Sequence, residues 1–134
     1  MKLYQDTKFL VVDDEQNFRD ENVKKLVELG FELEAIETAK NGEEALEYAK
    51  NDQKKYEFFI VDLVMPKMNG LQLIEQLNKL EKYKSTPKLV VSGSFDRSLV
   101  KKVAQVGANS FVVKPVDLET FAKKITSCAN GLHT

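Results

Sequence analysis

The feature that most constrains this chain is an apolar run that stops at a single carboxylate. Phe58-Phe59-Ile60-Val61 leads directly into Asp62, and Pro66 and Asn69-Gly70 follow within eight residues. An uninterrupted apolar run of that length reads as a strand covered on both faces, the situation of a parallel sheet. Proline cannot continue a ladder and Asn-Gly is turn chemistry, so the strand ends where the carboxylate begins. Asp62 is therefore expected at the carboxyl end of a central strand, where open α/β sheets bind their ligands. A carboxylate buried there is costly unless it is paired or bound to metal.

The rest of the chain repeats a strand-then-helix rhythm. Phe9-Leu10-Val11-Val12 is a first apolar run, ending in Asp13-Asp14-Glu15. From Asn17 the period changes, with Phe18, Val23, Leu26 and Val27 largely on one helical face and Gly30 as a stop. Leu33 to Ala39 alternates imperfectly and reads as a weaker, more exposed strand. Asn41-Gly42 opens a helix with Ala45, Leu46 and Ala49 inward, ending at Asn51-Asp52. After the central strand comes a helix from about Leu71 to Leu80, then a charged loop over Glu81 to Pro87. Lys88-Leu89-Val90-Val91-Ser92 forms a fourth strand, broken by Gly93, and Leu99, Val100, Val103 and Ala104 mark a helix stopping near Gly107. Ser110-Phe111-Val112-Val113 is a fifth strand ending at Lys114-Pro115. The last helix carries Leu118, Phe121, Ala122, Ile125 and Ala129. Such alternation predicts an α/β fold with a doubly wound parallel sheet of five strands and five helices, built with right-handed crossovers.

Bulk composition narrows the class. Hydrophobic content of 43% over 134 residues is enough for one domain with a core, and argues against disorder. The formal charge of −1 gives no general basic field for nucleic acid. A lone cysteine, Cys128, excludes an internal disulfide and fits a reducing compartment. The polar N-terminus lacks a signal-peptide core, and no apolar run approaches membrane-spanning length. The expectation is a single cytoplasmic domain over residues 1–134, core about 8–129, with no membrane and no direct nucleic-acid partner.

Four strand ends carry polar groups: Asp13-Asp14, Asp62, Ser92-Gly93 and Lys114-Pro115. A parallel sheet aligns all of them on one edge. Converging carboxylates repel unless a cation shares the site, and oxygen ligands favour a hard ion such as Mg²⁺. A hydroxyl and an ammonium beside that ion suit a phosphoryl group better than a neutral substrate. The chemistry indicated is phosphoryl transfer to a carboxylate.

These residues, together with Val61-Asp62-Leu63-Val64-Met65-Pro66-Lys67-Met68-Asn69-Gly70 and Phe111-Val112-Val113-Lys114-Pro115, resemble the receiver domains of two-component response regulators. The likeness spans roughly residues 8 to 129. It implies a flavodoxin-like sheet in the order 2-1-3-4-5, with Asp62 as phosphoacceptor and Ser92 and Lys114 as its hydroxyl and lysine partners. It further implies Mg²⁺ held by Asp13, Asp14, Asp62 and the backbone carbonyl of Val64, and a cis peptide before Pro115. Ser92 and Phe111 would form the switch. The phosphoryl donor would be a histidine kinase or a histidine phosphotransfer protein, and a downstream target would bind the face of helix four, strand five and helix five. Such a domain is not an enzyme beyond its own phosphorylation and dephosphorylation. Val64 and Ser94 fall at the positions that tune acyl-phosphate lifetime. A stand-alone regulator, a relay intermediate and a module of a longer regulator or hybrid kinase remain open.

Each motif alone has a plainer reading. Asp13-Asp14 could cap the first helix, and Asp62 could be a turn residue; the ordered conjunction is what favours the site. A Mg-dependent aspartyl phosphatase is the alternative of another class, but it needs a second Asp two residues after its nucleophile, where Val64 stands. Doubly wound nucleotide or flavin binders need a phosphate-cradling loop after strand one, and Asp13-Asp14-Glu15 would repel phosphate. Cys128, His133, Lys54-Lys55 and Lys101-Lys102 are expected to be structural or solvated.

Overall fold

The computed structural model describes residues 1–93 and 96–130. Five strands, β1 (Phe9–Val12), β2 (Ile36–Ala39), β3 (Phe58–Asp62), β4 (Lys88–Ser92) and β5 (Ser110–Val113), form one sheet in the order β2-β1-β3-β4-β5. Every neighbouring pair is parallel. The helices are α1 (Gln16–Glu28), α2 (Gly42–Ala49), α3 (Gly70–Lys79), α4 (Arg97–Gln105) and α5 (Leu118–Ala129). The architecture is the one that the strand–helix alternation predicts, and the order is the one that the family resemblance implies.

The alternation of side chains along each strand sorts the core into layers. Phe9, Val11, Phe58, Ile60, Leu89 and Val91 face Leu26 of α1 and Phe121, Ile125 and Cys128 of α5. Leu10, Val12, Phe59 and Val61 face the opposite way, onto Ala45 and Ala49 of α2 and Leu73 and Leu77 of α3. Val90 and Phe111 pack with Ile74 and Val103 in a third cluster, between α3 and α4. All of β1, β3 and β4 is buried, which is why those runs are apolar without interruption.

Helix ends follow from local chemistry. Asn69 caps α3 in a reciprocal capping box with Gln72, and Asn41 and Asp117 cap α2 and α5. Gly30, at φ 103°, and Gly107, at φ 89°, take the left-handed conformation just beyond α1 and α4.

Several details depart from the sequence expectation. Leu33–Ala35 is a 3₁₀ turn and β2 begins only at Ile36, leaving Leu33 59% exposed. Val27 faces solvent, because the inward stripe of α1 runs through Asn22 and Leu26. The charged stretch after α3 contains a 3₁₀ turn, Glu81–Tyr83, that sinks Tyr83 completely. Lys54 is more than a solvated residue: it pairs with Glu37, with Nζ 2.8 Å from Oε2, and lies over the Tyr48 ring. Lys101 and Lys102 are exposed, as expected. Cys128 is fully buried, and burial pushes its thiol up to about 12. His133 lies outside the described residues.

Lys88, at the start of β4, is only 1% exposed and donates to the carbonyls of Tyr83 (2.6 Å) and Thr86 (2.7 Å). Burial lowers its pKa to about 8. The unfolded chain then binds more protons than the folded one between pH 8 and the ordinary lysine value, so stability from this group rises with pH across that window. The shift corresponds to a cost on the order of 3 kcal/mol while the amine is charged in the fold. In urea unfolding from pH 7 to 10, the stability difference Lys88→Met minus wild type should therefore shrink as pH rises. A difference independent of pH would contradict the assignment.

Candidate functional site

The site is assembled by strand ends on one edge of the sheet. Val12 pairs with Val61, so Asp13 emerges beside Asp62. Asp62 is opposite Val91 and Ser92 opposite Val113, which places Ser92 and then Lys114 at the same edge. Neighbouring strands lie about 4.8 Å apart, so β5 stands roughly 10 Å from β3. A lysine on β5 can reach Asp62 only by crossing the end of β4, where small residues, Ser92 and Gly93, leave it room. The backbone N–H of Lys114 donates to Ser92 O at 2.7 Å, fixing that crossing. The Lys114–Pro115 peptide is cis, as the sequence resemblance implied.

Lys114 Nζ sits 2.8 Å from Asp13 Oδ2 and 3.2 Å from Asp62 Oδ1. Its side chain is 9% exposed, against 1% for Asp13 and 6% for Asp62. One ammonium is thus shared between two buried carboxylates and lies closer to Asp13. Carboxylate oxygens of Asp13, Asp14 and Asp62 all fall within 4.8 Å of one another. Asp13 is held from both sides: its Oδ1 accepts from the Glu15 N–H at 3.0 Å, and its carbonyl accepts from Arg19 Nη1 at 2.7 Å. Glu15, not either aspartate, is the N-cap of α1, and it makes no side-chain cap bond. Capping is therefore not what Asp13 and Asp14 do.

Electrostatics follow from this excess of negative charge. Burial, then the Asp13 charge, raises Asp62 to about 6, against the partial relief that Lys114 gives. Burial works against the charge on Lys114, but its bonds to Asp13 and Asp62 outweigh that and hold it above the ordinary lysine value. For Asp62 the linkage sign is that of a raised carboxyl. Its stabilising contribution is complete below pH 3.8 and lost as pH rises through about 6. At neutral pH the ionised carboxylate costs on the order of 3 kcal/mol relative to an unshifted one. Three clustered carboxylates with one ammonium, one of them with a raised pKa, fit a site that takes a further cation. Their all-oxygen character suits a hard divalent ion.

The loop after β3 closes under the site. Lys67 adopts φ 67°, Met68 N–H bonds Pro66 O at 2.8 Å, and Gly70 N–H bonds Leu63 O at 2.9 Å. A Cβ on Gly70 would collide with the Asp62 carbonyl oxygen and come 2.9 Å from Leu63 Cα. Gly70 is thus what lets the chain fold back against Asp62. Val64, 69% exposed, reaches the mouth of a cleft of about 470 Å³ shared with Asp14, Glu15, Phe18, Asp62, Gly93 and Lys114. Size does not single out this cleft, since one of about 500 Å³ opens beside Thr86 and Cys128. Charge does.

Asp13, Asp14, Asp62 and Lys114 converge, Val64 lines the cleft, and Ser92 is fully buried at the end of β4, next to Gly93 of the cleft wall. Phe111 stands apart, packed in the cluster with Val90 and Val103. Ser94 lies outside the described residues. Two further side chains border the site without a functional signal in the sequence. Phe18 looks there like a core residue but lies over the Lys114 ammonium, 3.8 Å from ring centroid to Nζ. Arg19 carried no recognisable signal.

Comparison with known proteins agrees with this geometry. The family described as "Response regulator receiver domain" matches residues 9–126. The transcriptional regulatory protein DegU of Brevibacillus brevis is 30% identical over 124 residues, which cover 91% of this chain and 50% of DegU. The chain therefore spans half the length of that relative. The chemotaxis protein CheY4 of Vibrio cholerae superposes with a TM-score of 0.82 at 30% identity, covering 91% of this chain and 98% of CheY4. A CheX–CheY–BeF₃–Mg²⁺ complex from Borrelia burgdorferi gives a TM-score of 0.81 at 28% identity, covering 90% of this chain and 87% of that one. With the matched residues covering the whole sheet and every strand end of the site, the chain belongs to the response regulator receiver domain family, the phosphoacceptor modules of two-component signalling.

Proposed function

We propose that Asp62 is the acceptor, taking a phosphoryl group from the phosphohistidine of a partner kinase or phosphotransfer protein. The observation that carries this reading is the Lys114 ammonium poised 3.2 Å from Asp62 Oδ1 within a cluster of three carboxylates. At neutral pH Asp62, with a pKa of about 6, is mostly ionised and able to attack. Its carboxylate oxygen forms a bond to phosphorus as the P–N bond of the donor breaks, and the departing imidazole takes a proton from solvent. Lys114 neutralises charge on the transferred oxygens, and Ser92, at the adjacent strand end, donates its hydroxyl to one of them. Asp13, Asp14, Asp62 and the Val64 carbonyl would hold Mg²⁺, which supplies further charge neutralisation. The Borrelia neighbour, with BeF₃ and Mg²⁺ in its complex, supports Mg²⁺ as the ion.

The product is a modified surface rather than a released molecule, so the domain turns over only its own phosphoryl group. Phe111 is only 8% exposed. A switch through it takes the form of repacking against Val103 and Ala108, not a swing in from solvent. The target surface is the α4–β5–α5 face. We place the protein in the cytoplasm, as one domain over residues 1–134 with no nucleic-acid contact of its own. No helix among the described residues is long and apolar enough to cross a membrane. The half-length match to DegU favours a second setting for the same chemistry, a receiver module working on an attached domain.

Incubation with acetyl phosphate and Mg²⁺ should add one phosphoryl group, labile to base and hydroxylamine. Asp62→Asn should abolish labelling, whereas Cys128→Ser and His133→Ala should not. Mg²⁺ at 100 times its Kd should raise stability by about 2.7 kcal/mol, and Asp14→Asn should shift that titration to higher concentration. Labelling that survives in Asp62→Asn, or a melt and a binding titration both insensitive to Mg²⁺, would overturn the reading.

Switching has a separate test. Beryllofluoride with Mg²⁺ should move amide resonances from Ala104 to Val113 as well as those around Asp62, and Ser92→Ala should weaken the distant changes. Changes confined to the neighbours of Asp62 would remove the α4–β5–α5 face from the account.

A further inference from the structure

Phe18 sits in the second half-turn of α1, yet it joins none of the three hydrophobic clusters among the described residues. The buried stripe of its helix runs through Asn22 and Leu26, below it. Phe18 is instead half-buried at the wall of the acceptor cleft, with its ring centroid 3.8 Å from Lys114 Nζ. That distance is well inside the range of a cation–π contact, and the lysine side chain is only 9% exposed, the desolvated setting in which such contacts are strongest. Two flanks of the ammonium are taken by Asp13 Oδ2 and Asp62 Oδ1, and the ring covers another.

We propose that Phe18 is a positioning residue for phosphoryl transfer: its ring pins the Lys114 ammonium over Asp62 and walls it from solvent before the donor arrives. The proposal rests on Asp62 as acceptor and Lys114 as its phosphoryl contact. An ammonium on a flexible four-carbon stem is strongly hydrated and mobile when free. Covered by an aromatic face and fixed by two carboxylates, it needs little reorganisation as charge builds on the transferred oxygens, which is where preorganised electrostatics act. The ring meets the site through the Lys114 ammonium, so its influence is expected on the transfer step rather than on cation binding. Leucine would fill much of the same volume without the negative π face, and tyrosine would retain that face.

The test compares wild type, Phe18→Leu and Phe18→Tyr. Proton NMR of the wild type should show the Lys114 Hε resonances shifted upfield by the ring current. The shift should persist in Phe18→Tyr and vanish in Phe18→Leu. With acetyl phosphate and Mg²⁺, Phe18→Leu should lower the maximal phosphorylation rate at Asp62 by roughly 3- to 30-fold, with donor half-saturation and Mg²⁺ affinity near those of the wild type. Phe18→Tyr should restore the rate to within about two-fold. A wild type without the ring-current shift would overturn the proposal, whatever the stability of the variants. So would a Phe18→Leu rate equal to wild type, while leaving Asp62 as acceptor intact. Failure of the wild type to label at Asp62 would remove both readings together.

Discussion

The ammonium of Lys114, shared between Asp13 and Asp62, is the interaction on which the rest of this structure depends. Two buried carboxylates side by side, with a third close by, are unfavourable in any fold. One lysine offsets part of that cost, while burial first and the Asp13 charge second keep the pKa of Asp62 raised. The remaining imbalance is the useful part. It leaves Asp62 ionised at neutral pH and only partly neutralised, which suits the proposed roles of taking up a cation and a phosphoryl group. A fully satisfied network would be more stable and less reactive.

The fold can be understood as the machinery that holds this imbalance in place. Parallel register fixes Asp13 beside Asp62 through the Val12–Val61 pair. The buried layers on both faces of the sheet supply the stability that the site consumes. Gly70 allows the loop after β3 to pack against the Asp62 carbonyl, where any side chain would collide. Lys88 performs a related task at the opposite end of β4. There it satisfies the carbonyls of Tyr83 and Thr86 that the 3₁₀ turn leaves facing inward. Both lysines are buried, but Lys114 is held charged by carboxylates while the Lys88 ammonium donates to neutral carbonyls, and their pKa values move in opposite directions.

Strand identity, order of elements and the four polar strand ends were legible in the sequence because buried parallel strands are unbroken apolar runs. A polar residue at the end of such a run stands out. Leu33–Ala35 reads as strand in sequence but is a 3₁₀ turn, because such a turn and a half-exposed edge strand share the same loose apolar pattern. Lys88 looked like an ordinary first residue of a strand, since nothing local says that the turn before it will fold over its amine. Phe18 was read as core for a comparable reason. Helical periodicity reports which face of a helix is apolar, but not that the first turn projects beyond the sheet edge. The role of Ser92 and the switch through Phe111 came from the family resemblance, not from residue chemistry. Ser-Gly at a strand end carries little information by itself.

Asp62 is a carboxylate destabilised by burial and by the Asp13 charge, with its own charge only partly met by Lys114. Titration of the Asp62 carboxyl carbon by ¹³C NMR, first in a chelator and then in saturating Mg²⁺, tests it most directly. The expected midpoint without metal is about 6, falling clearly when Mg²⁺ is added because a cation favours the ionised form. A midpoint near the ordinary aspartate value of 3.8 that does not respond to Mg²⁺ would contradict the account.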